Sequence, residues 1–353
     1  MASNNLGPSV YYVTDKNIFD ALNEYKVTTE IMIQLLASRN TIASPHEKKA
    51  ELARYFSQLT HDYFDNQTIA SVLGVASRRE RVTSLYVEGG VAEDGLRKAI
   101  EHVAEEHRRF GDLVEVIKRP NGFLIRIQYS RVDYRRSEFN QVQIKDAEVD
   151  AVCVPGGVEI RSTQNEHVDK FRDEVVFRLR DEHSDIVRKD ITLLAHPSPV
   201  TRSQFFHDLF SGLKGYSFQS VTDLYVFRPS EGGEAAPEVE RVALRGYSVN
   251  STKIFTDLAA DGYYIVRAIW VAKESSNEGN AYTIEAVFTD PETCSDFSYL
   301  VVGVQDRKNE VLSSRRRTPT RMESVSVSRA IEHRARELMA AMTVTVDQPN
   351  DVP

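Results

Sequence analysis

Hydrophobic residues in the first part of the chain recur at three- and four-residue steps, and beyond Val91 the step shortens to two. The first pattern predicts helices. Thr14 or Asp15 caps a helix over Asn17 to Tyr25, and Thr28 or Thr29 caps another from Glu30 to Ser38. In the second, Ile31, Leu35 and Ser38 form one stripe with Met32 and Leu36 beside it. Ser44-Pro45-His46-Glu47 reads as a third helix start, with Pro at the first helical position and Glu in the first turn, and that helix is expected to bury Leu52, Tyr55, Phe56 and Leu59. A fourth runs from Asn66 to Leu73 and ends at Gly74. From Tyr11 to Tyr86 the chain is thus expected to be almost entirely helical.

Asp94 to Phe110 has the spacing of one more helix, with Leu96, Ile100, Val103 and Ala104 on a single side. The chain then alternates: "DLVEVIKR", a turn at Asn121-Gly122, and "FLIRIQYSR" predict a hairpin, and "QVQIKDAEVDAVCV" and "VEIRS" further strands. "NEHVDKFRDEVVFRLRDE" closes this unit as an amphipathic helix. A second unit repeats the grammar. "TRSQFFHDLFSGL" is a helix, "DLYVFRP" and "VERVALRGYSV" are strands, and "NSTKIFTDLAADG" is a helix capped by Asn250 or Ser251 and stopped at Gly262. Three strands, "YYIVRAIWVAKE", "AYTIEAVFTD" and "FSYLVVGVQ", precede a last helix from Val327 to Met342. The expected fold class is α+β: a helical module over residues 14–88, then α+β domains with mainly antiparallel sheets over 91–187 and 188–343, with tails at 1–13 and 344–353.

Composition agrees with a globular chain, at 41% hydrophobic and 27% charged residues over 353 positions. Cys153 and Cys294 lie far apart among strand-like neighbours and read as buried thiols. The first residues, MASNNLGPSV, lack a basic and then apolar leader, and no run of about 18 apolar residues occurs, so the expectation is a cytoplasmic protein off the membrane. A net charge of −8 argues against nucleic acid coating the whole surface but leaves room for local basic patches, at Arg78 to Arg81, Arg131 to Arg136 and Arg315-Arg316-Arg317.

Val27 to Leu59 resembles the SAP-type helix-extended-turn-helix family of small DNA-binding modules. Ile31 with Leu35 or Leu36 matches the family's first helix, Arg39-Asn40-Thr41-Ile42 the turn, Lys49 the early lysine, and Leu52 with Phe56 the second helix. Asn40 stands where the family often has glycine, and Ser44, Pro45 and His46 lengthen the turn. The resemblance implies DNA or RNA as partner, with helix amides and Arg39, Lys48, Lys49 and Arg54 meeting phosphates. A second seat is "QDRKNEVLSSRRRTPTR", Gln305 to Arg321, where Arg307, Lys308, Arg315, Arg316, Arg317 and Arg321 face only Asp306 and Glu310.

Catalytic signatures are sparse. Asp133 followed by Gln143-Ile144-Lys145 has the residue order of a Mg²⁺-dependent nuclease core, but the preceding elements fit it poorly. His102 and His107 stand five apart and read as a helix surface rather than a metal pair, and His196 and His207 read as structural. No nucleotide loop, Ser elbow or metal cluster occurs, so no catalytic residue, metal or cofactor is assigned. The resulting expectation is a non-enzymatic nucleic-acid-associated or scaffold component of a complex with protein partners. Its alternatives are a protein-interaction adaptor that binds no nucleic acid and a divergent Mg²⁺-dependent nuclease.

Overall fold

A computed structural model describes residues 13–73, 79–133, 139, 142–183, 185–229, 239–276, 279–308 and 311–346 of the chain. Gly74, Arg78, Arg135, Arg136, the loop Ser230 to Pro237 and most of the expected C-terminal tail lie outside the described residues. The fold is α+β, with helices at the N-terminus and antiparallel sheet beyond. Contacts divide the chain into two compact units. One comprises Met1–Arg79, Arg97–Arg119 and Phe123–Val149; the other comprises Glu80–Leu96, Pro120–Gly122 and Asp150–Pro353.

The first unit holds helices α1 (Asp15–Asn23), α2 (Thr29–Ser38), α3 (Lys49–Ser57) and α4 (Tyr63–Leu73). Threonine caps start the first two: the Thr14 hydroxyl accepts from the Asn17 amide at 3.3 Å and the Thr28 hydroxyl from the Ile31 amide at 3.5 Å. Ile18, Leu22, Met32, Leu36, Leu52 and Phe56 are buried together, each such side chain contributing roughly 1.5–3 kcal/mol of hydrophobic stabilisation. Strands β2 (Leu113–Arg119), β3 (Gly122–Val132) and β4 (Val142–Val154) follow helix α5 (Glu93–Arg109), and they adjoin in the order β2-β3-β4. Asn121 takes the left-handed conformation at the β2–β3 turn, with φ at 61°.

The second unit is built on β1 (Val82–Glu88), β5 (Gly157–Thr163), β6 (Val187–Asp190), β7 (Tyr216–Phe227), β8 (Arg241–Arg245), β9 (Tyr264–Glu274), β10 (Ala281–Asp290) and β11 (Ser295–Gln305). Their order is β5-β1-β11-β10-β9-β7-β8, with β6 also on β1. Strand β1 pairs along its whole length with β5, and on its other side it touches β11 at Val82↔Tyr299 before β6 takes over at Leu85↔Asp190. Helices α6 (Glu166–Glu182), α7 (Pro199–Ser211), α8 (Lys253–Ala260) and α9 (Arg321–Val346) complete it. Phe205, Phe206 and Phe210 of α7 pack on Phe288, Phe297 and Trp270, with Phe210 and Trp270 centroids 5.1 Å apart. From α9, Val327, Ile331 and Ala335 join the same core.

A buried ionic cluster ties α9 to the strands. The Arg161 guanidinium of β5 forks onto Glu332, its Nε donating at 2.6 Å, and the Tyr299 hydroxyl of β11 donates to the same carboxylate. Arg336 pairs with Glu159 one turn on. Burial opposes the charge on Arg161, yet the hydrogen bonds to Glu332 raise its pKa; burial, then Glu332, push the Tyr299 phenol well above its usual value.

Several expectations are corrected. Val82–Glu88 is a strand, so the helical stretch stops short of Tyr86; buried positions on both of its faces hide the alternation that marks a strand. Ser44 to Glu47 closes as one turn, the Glu47 amide donating to Ser44 O at 3.2 Å, because Pro fits the second position of a turn as well as the first of a helix. Helix α3 therefore starts at Lys49, and Tyr55 is half exposed rather than buried. Helix α8 is capped by Thr252 after a short 3₁₀ turn at Val249–Ser251, not by Asn250 or Ser251. Helix α9 begins at Arg321, not Val327: the Thr320 amide donates to Glu323 at 2.7 Å and the Glu323 amide to the Thr320 hydroxyl at 3.3 Å, a reciprocal capping box. Cys294 is buried in a turn with φ at 49°, while Cys153 of β4 is only half buried. His107 is buried and meets Asp112 at 2.8 Å rather than solvent.

Candidate nucleic-acid interface

Helix α2 ends in a Schellman motif around Asn40, whose φ of 55° is the left-handed conformation asparagine tolerates best after glycine. The Thr41 amide donates to Leu36 O at 2.9 Å and the Asn40 amide to Ala37 O at 3.0 Å, satisfying two of the helix's open carbonyls. An extended stretch and the Ser44 turn then lead to α3, and Ile42 in that stretch is 100% exposed.

The cations expected here divide in two. Arg39 is committed within the helices, paired with Asp65 and, at 3.4 Å, with Asp62; the Asp65 hydrogen bond raises its pKa. Lys49 is committed too. Its ammonium donates to Asn23 O at 3.1 Å and Glu24 O at 2.6 Å, where the open carbonyls at the end of α1 concentrate negative potential. Burial lowers the Lys49 pKa. Lys48 and Arg54 are exposed, and neither makes an ion pair among the described residues.

The described residues of the segment Gln305 to Arg321 fold back on one another. Strands β12 (Arg307–Lys308) and β13 (Val311–Leu312) pair, Gln305 Nε2 donates to Ser313 O at 2.8 Å, and the Ser313 amide donates to Asp306 O at 2.8 Å. The returning chain is pinned to β11 by two 2.9 Å bonds between Val304 and Arg317. The Arg317 side chain binds Asp306, with Nε at 2.9 Å, and forks onto Glu323 at 2.6 and 2.8 Å. Glu323 first and Asp306 second raise the Arg317 pKa, and Arg317 holds the Glu323 carboxyl at about 2. Arg321 heads α9 and is exposed. Arg315 and Arg316 are exposed and carry no ion pair among the described residues.

A polar cleft of about 820 Å³ in the second unit differs in this respect. Its Arg172 meets Asp169 at 2.8 Å, Arg188 forks onto Asp190 at 2.7 and 3.0 Å, and Arg81 meets Glu285 at 2.7 Å, a carboxylate shared with Arg267, so each of these guanidinium groups is already paired. Burial raises the Asp169 pKa against the opposing charge of Arg172. Asp133 follows the last residue of β3, and Gln143 and Lys145 lie on β4. His207 packs edge-on against Phe210 and Phe255, 6.0 Å from each, and burial lowers its pKa.

The sequence shows the run of basic residues but not the strand pairing and ion pairs that hold it. Thr320-x-x-Glu323 is a legible capping box, and it marks Glu323 as a carboxylate fixed beside the arginines. The chain matches no protein-family model and no curated protein. Among the described residues no helix is long and apolar enough to cross a membrane.

Proposed function

We propose that the protein is a non-enzymatic nucleic-acid-associated component of a cytoplasmic complex, meeting phosphate through its basic hairpin. The observation that carries the reading is the split within the arginine run. Arg317 pairs with Asp306 and Glu323 and its backbone is bonded to Val304, while among the described residues Arg315 and Arg316 are exposed and without an ion pair on that support. Such charges bind phosphate by releasing condensed counterions, and their fixed backbone lowers the ordering cost on contact. Lys48 and Arg54 on the SAP-like helices form a secondary contact with the same chemistry, without reading base edges.

The test is fluorescence anisotropy with labelled single- and double-stranded DNA and RNA at two salt concentrations, with and without Mg²⁺. Affinity is expected to fall steeply with salt and to need no Mg²⁺. The pair Arg315→Gln with Arg316→Gln should flatten the log–log salt slope by about 2, one unit for each phosphate that is no longer neutralised. Absence of binding to every probe would overturn the reading in favour of a protein adaptor, and Mg²⁺-dependent cleavage would overturn it in favour of a nuclease.

A further inference from the structure

At the far edge of the second unit's strand order, the registers of β8, β7, β9 and β10 place one row of residues side by side: Ala243, Tyr225, Arg267 and Val287. Two residues along the strands, Phe227 stands opposite Arg241. The Arg267 guanidinium lies over the Tyr225 ring, 4.3 Å from its centroid, and is held by Glu285 at 3.0 Å. Arg241 lies 5.8 Å from the Phe227 ring, is exposed, and makes no ion pair among the described residues. Between these groups is a slot of about 250 Å³ whose other walls include Val242, Val266 and Pro291, and among the described residues no acidic side chain lines it.

From this geometry we infer that the slot takes one base of a single-stranded nucleic acid, with the adjoining phosphate on Arg241. The inference rests on the reading above that the protein meets nucleic acid, and it names the form of the polymer. Three features select that occupant. The volume lies below the roughly 300–1,000 Å³ of pockets that enclose drug-sized ligands, so it suits a single planar ring. The walls are mainly apolar and aromatic, and Arg267 covers one face of the Tyr225 ring and holds it in place, so that a base stacks on the opposite face. Among the described lining residues Arg241 is the one charge without an ion pair, a guanidinium at the exposed rim suited to an anion attached to that ring. A base inside a duplex is paired and stacked and cannot enter, so the site discriminates by strandedness rather than by sequence.

The experiment measures anisotropy of a labelled single strand and of its duplex with the full chain, and crosslinks a single strand carrying 4-thiouridine. In the wild type the crosslink should map to the peptide containing Tyr225. Tyr225→Leu keeps apolar bulk without the ring, and Arg241→Gln removes an exposed charge; each should weaken the single strand about 10-fold and the duplex less than 2-fold. Circular dichroism and the retained duplex affinity report that the variants are folded. If Arg315→Gln with Arg316→Gln weakens the single strand while Tyr225→Leu and Arg241→Gln do not, the slot is overturned and the hairpin reading stands. If no polymer binds, the reading above fails and the slot is tested with AMP alone: chemical-shift changes lost in Tyr225→Leu sustain a base-binding slot, and none overturn it.

Discussion

Arg161 and Arg317 both fork onto a glutamate of helix α9, Arg161 onto Glu332 within its length and Arg317 onto Glu323 in its first turn, yet the two pairs perform different work. Glu332 is 2% exposed and Arg161 14%, and the Tyr299 hydroxyl completes the cluster; Arg317 is 37% exposed, and its neighbours Arg315 and Arg316 face solvent. The buried pair fixes where α9 lies and has nothing left to bind a ligand. The outer pair is a clamp that removes two carboxylates from a basic surface and leaves guanidinium charge uncancelled. Identical side-chain chemistry thus sits in a buried strut or at an exposed basic surface, according to whether water reaches it.

The comparison breaks most sharply at Glu332. Glu332→Ala leaves Arg161 charged, buried and without its principal partner, and should cost about 3–5 kcal/mol of unfolding free energy. Urea denaturation measures it. A loss below about 1 kcal/mol would mean that water solvates Arg161 more freely than its burial implies.

Glu323 tests the clamp through pH. Its carboxyl is held at about 2 in the folded chain against an ordinary value near 4.5, first by Arg317, so its contribution is present above the ordinary value and is lost as pH falls towards 2. Allowing for the solvent around Arg317, the contribution is on the order of 1–2 kcal/mol. Glu323→Gln should remove about that much stability at neutral pH and flatten the stability profile between about pH 4.5 and 2. A variant whose acid limb overlays the wild type would show that the clamp carries no stability.

Local chemistry made much of this legible in advance. The threonine caps, the Asn40 turn, the alternation of β2 and β3, and the run of arginines all follow from neighbours in sequence. The rest depends on distant partners. Arg161 and Glu332 are 171 positions apart, and nothing local to either marks it as half of a buried pair. Strand β1 was hidden for a related reason: it lies between β5 and the β11 and β6 edges, so its burial reflects distant pairing rather than an amphipathic pattern. Tyr225, Arg267 and Arg241 come together only because three strands set their register, which no spacing along the chain announces.

Lys49 and Lys48 sharpen the contrast on the helical side. Lys49→Met removes two charge-assisted bonds to the end of α1 and should cost about 1 kcal/mol, whereas Lys48→Met should be neutral within about 0.5 kcal/mol. Equal losses from both would show that the carbonyl contacts at Asn23 and Glu24 carry little net energy.

The smallest expected effect on stability lies where the largest effect on binding is proposed. Arg315→Gln with Arg316→Gln removes two exposed charges that hold no carboxylate, and the hairpin backbone stays pinned by the Val304–Arg317 bonds and the Ser313 contacts. Exposed charges of this kind contribute little, so the change in unfolding free energy should stay within about 0.5 kcal/mol. Arg317→Gln next to them should behave otherwise, because it leaves Asp306 and Glu323 without their shared cation and restores local negative charge beside the two remaining arginines. That substitution should lower stability by about 1–2 kcal/mol and also weaken phosphate binding, although Arg317 itself has no free face to offer. Thermal melts of both variants at two salt concentrations separate the roles. If the double variant melts as early as Arg317→Gln, Arg315 and Arg316 are structural, and the division between clamp and contact surface is wrong.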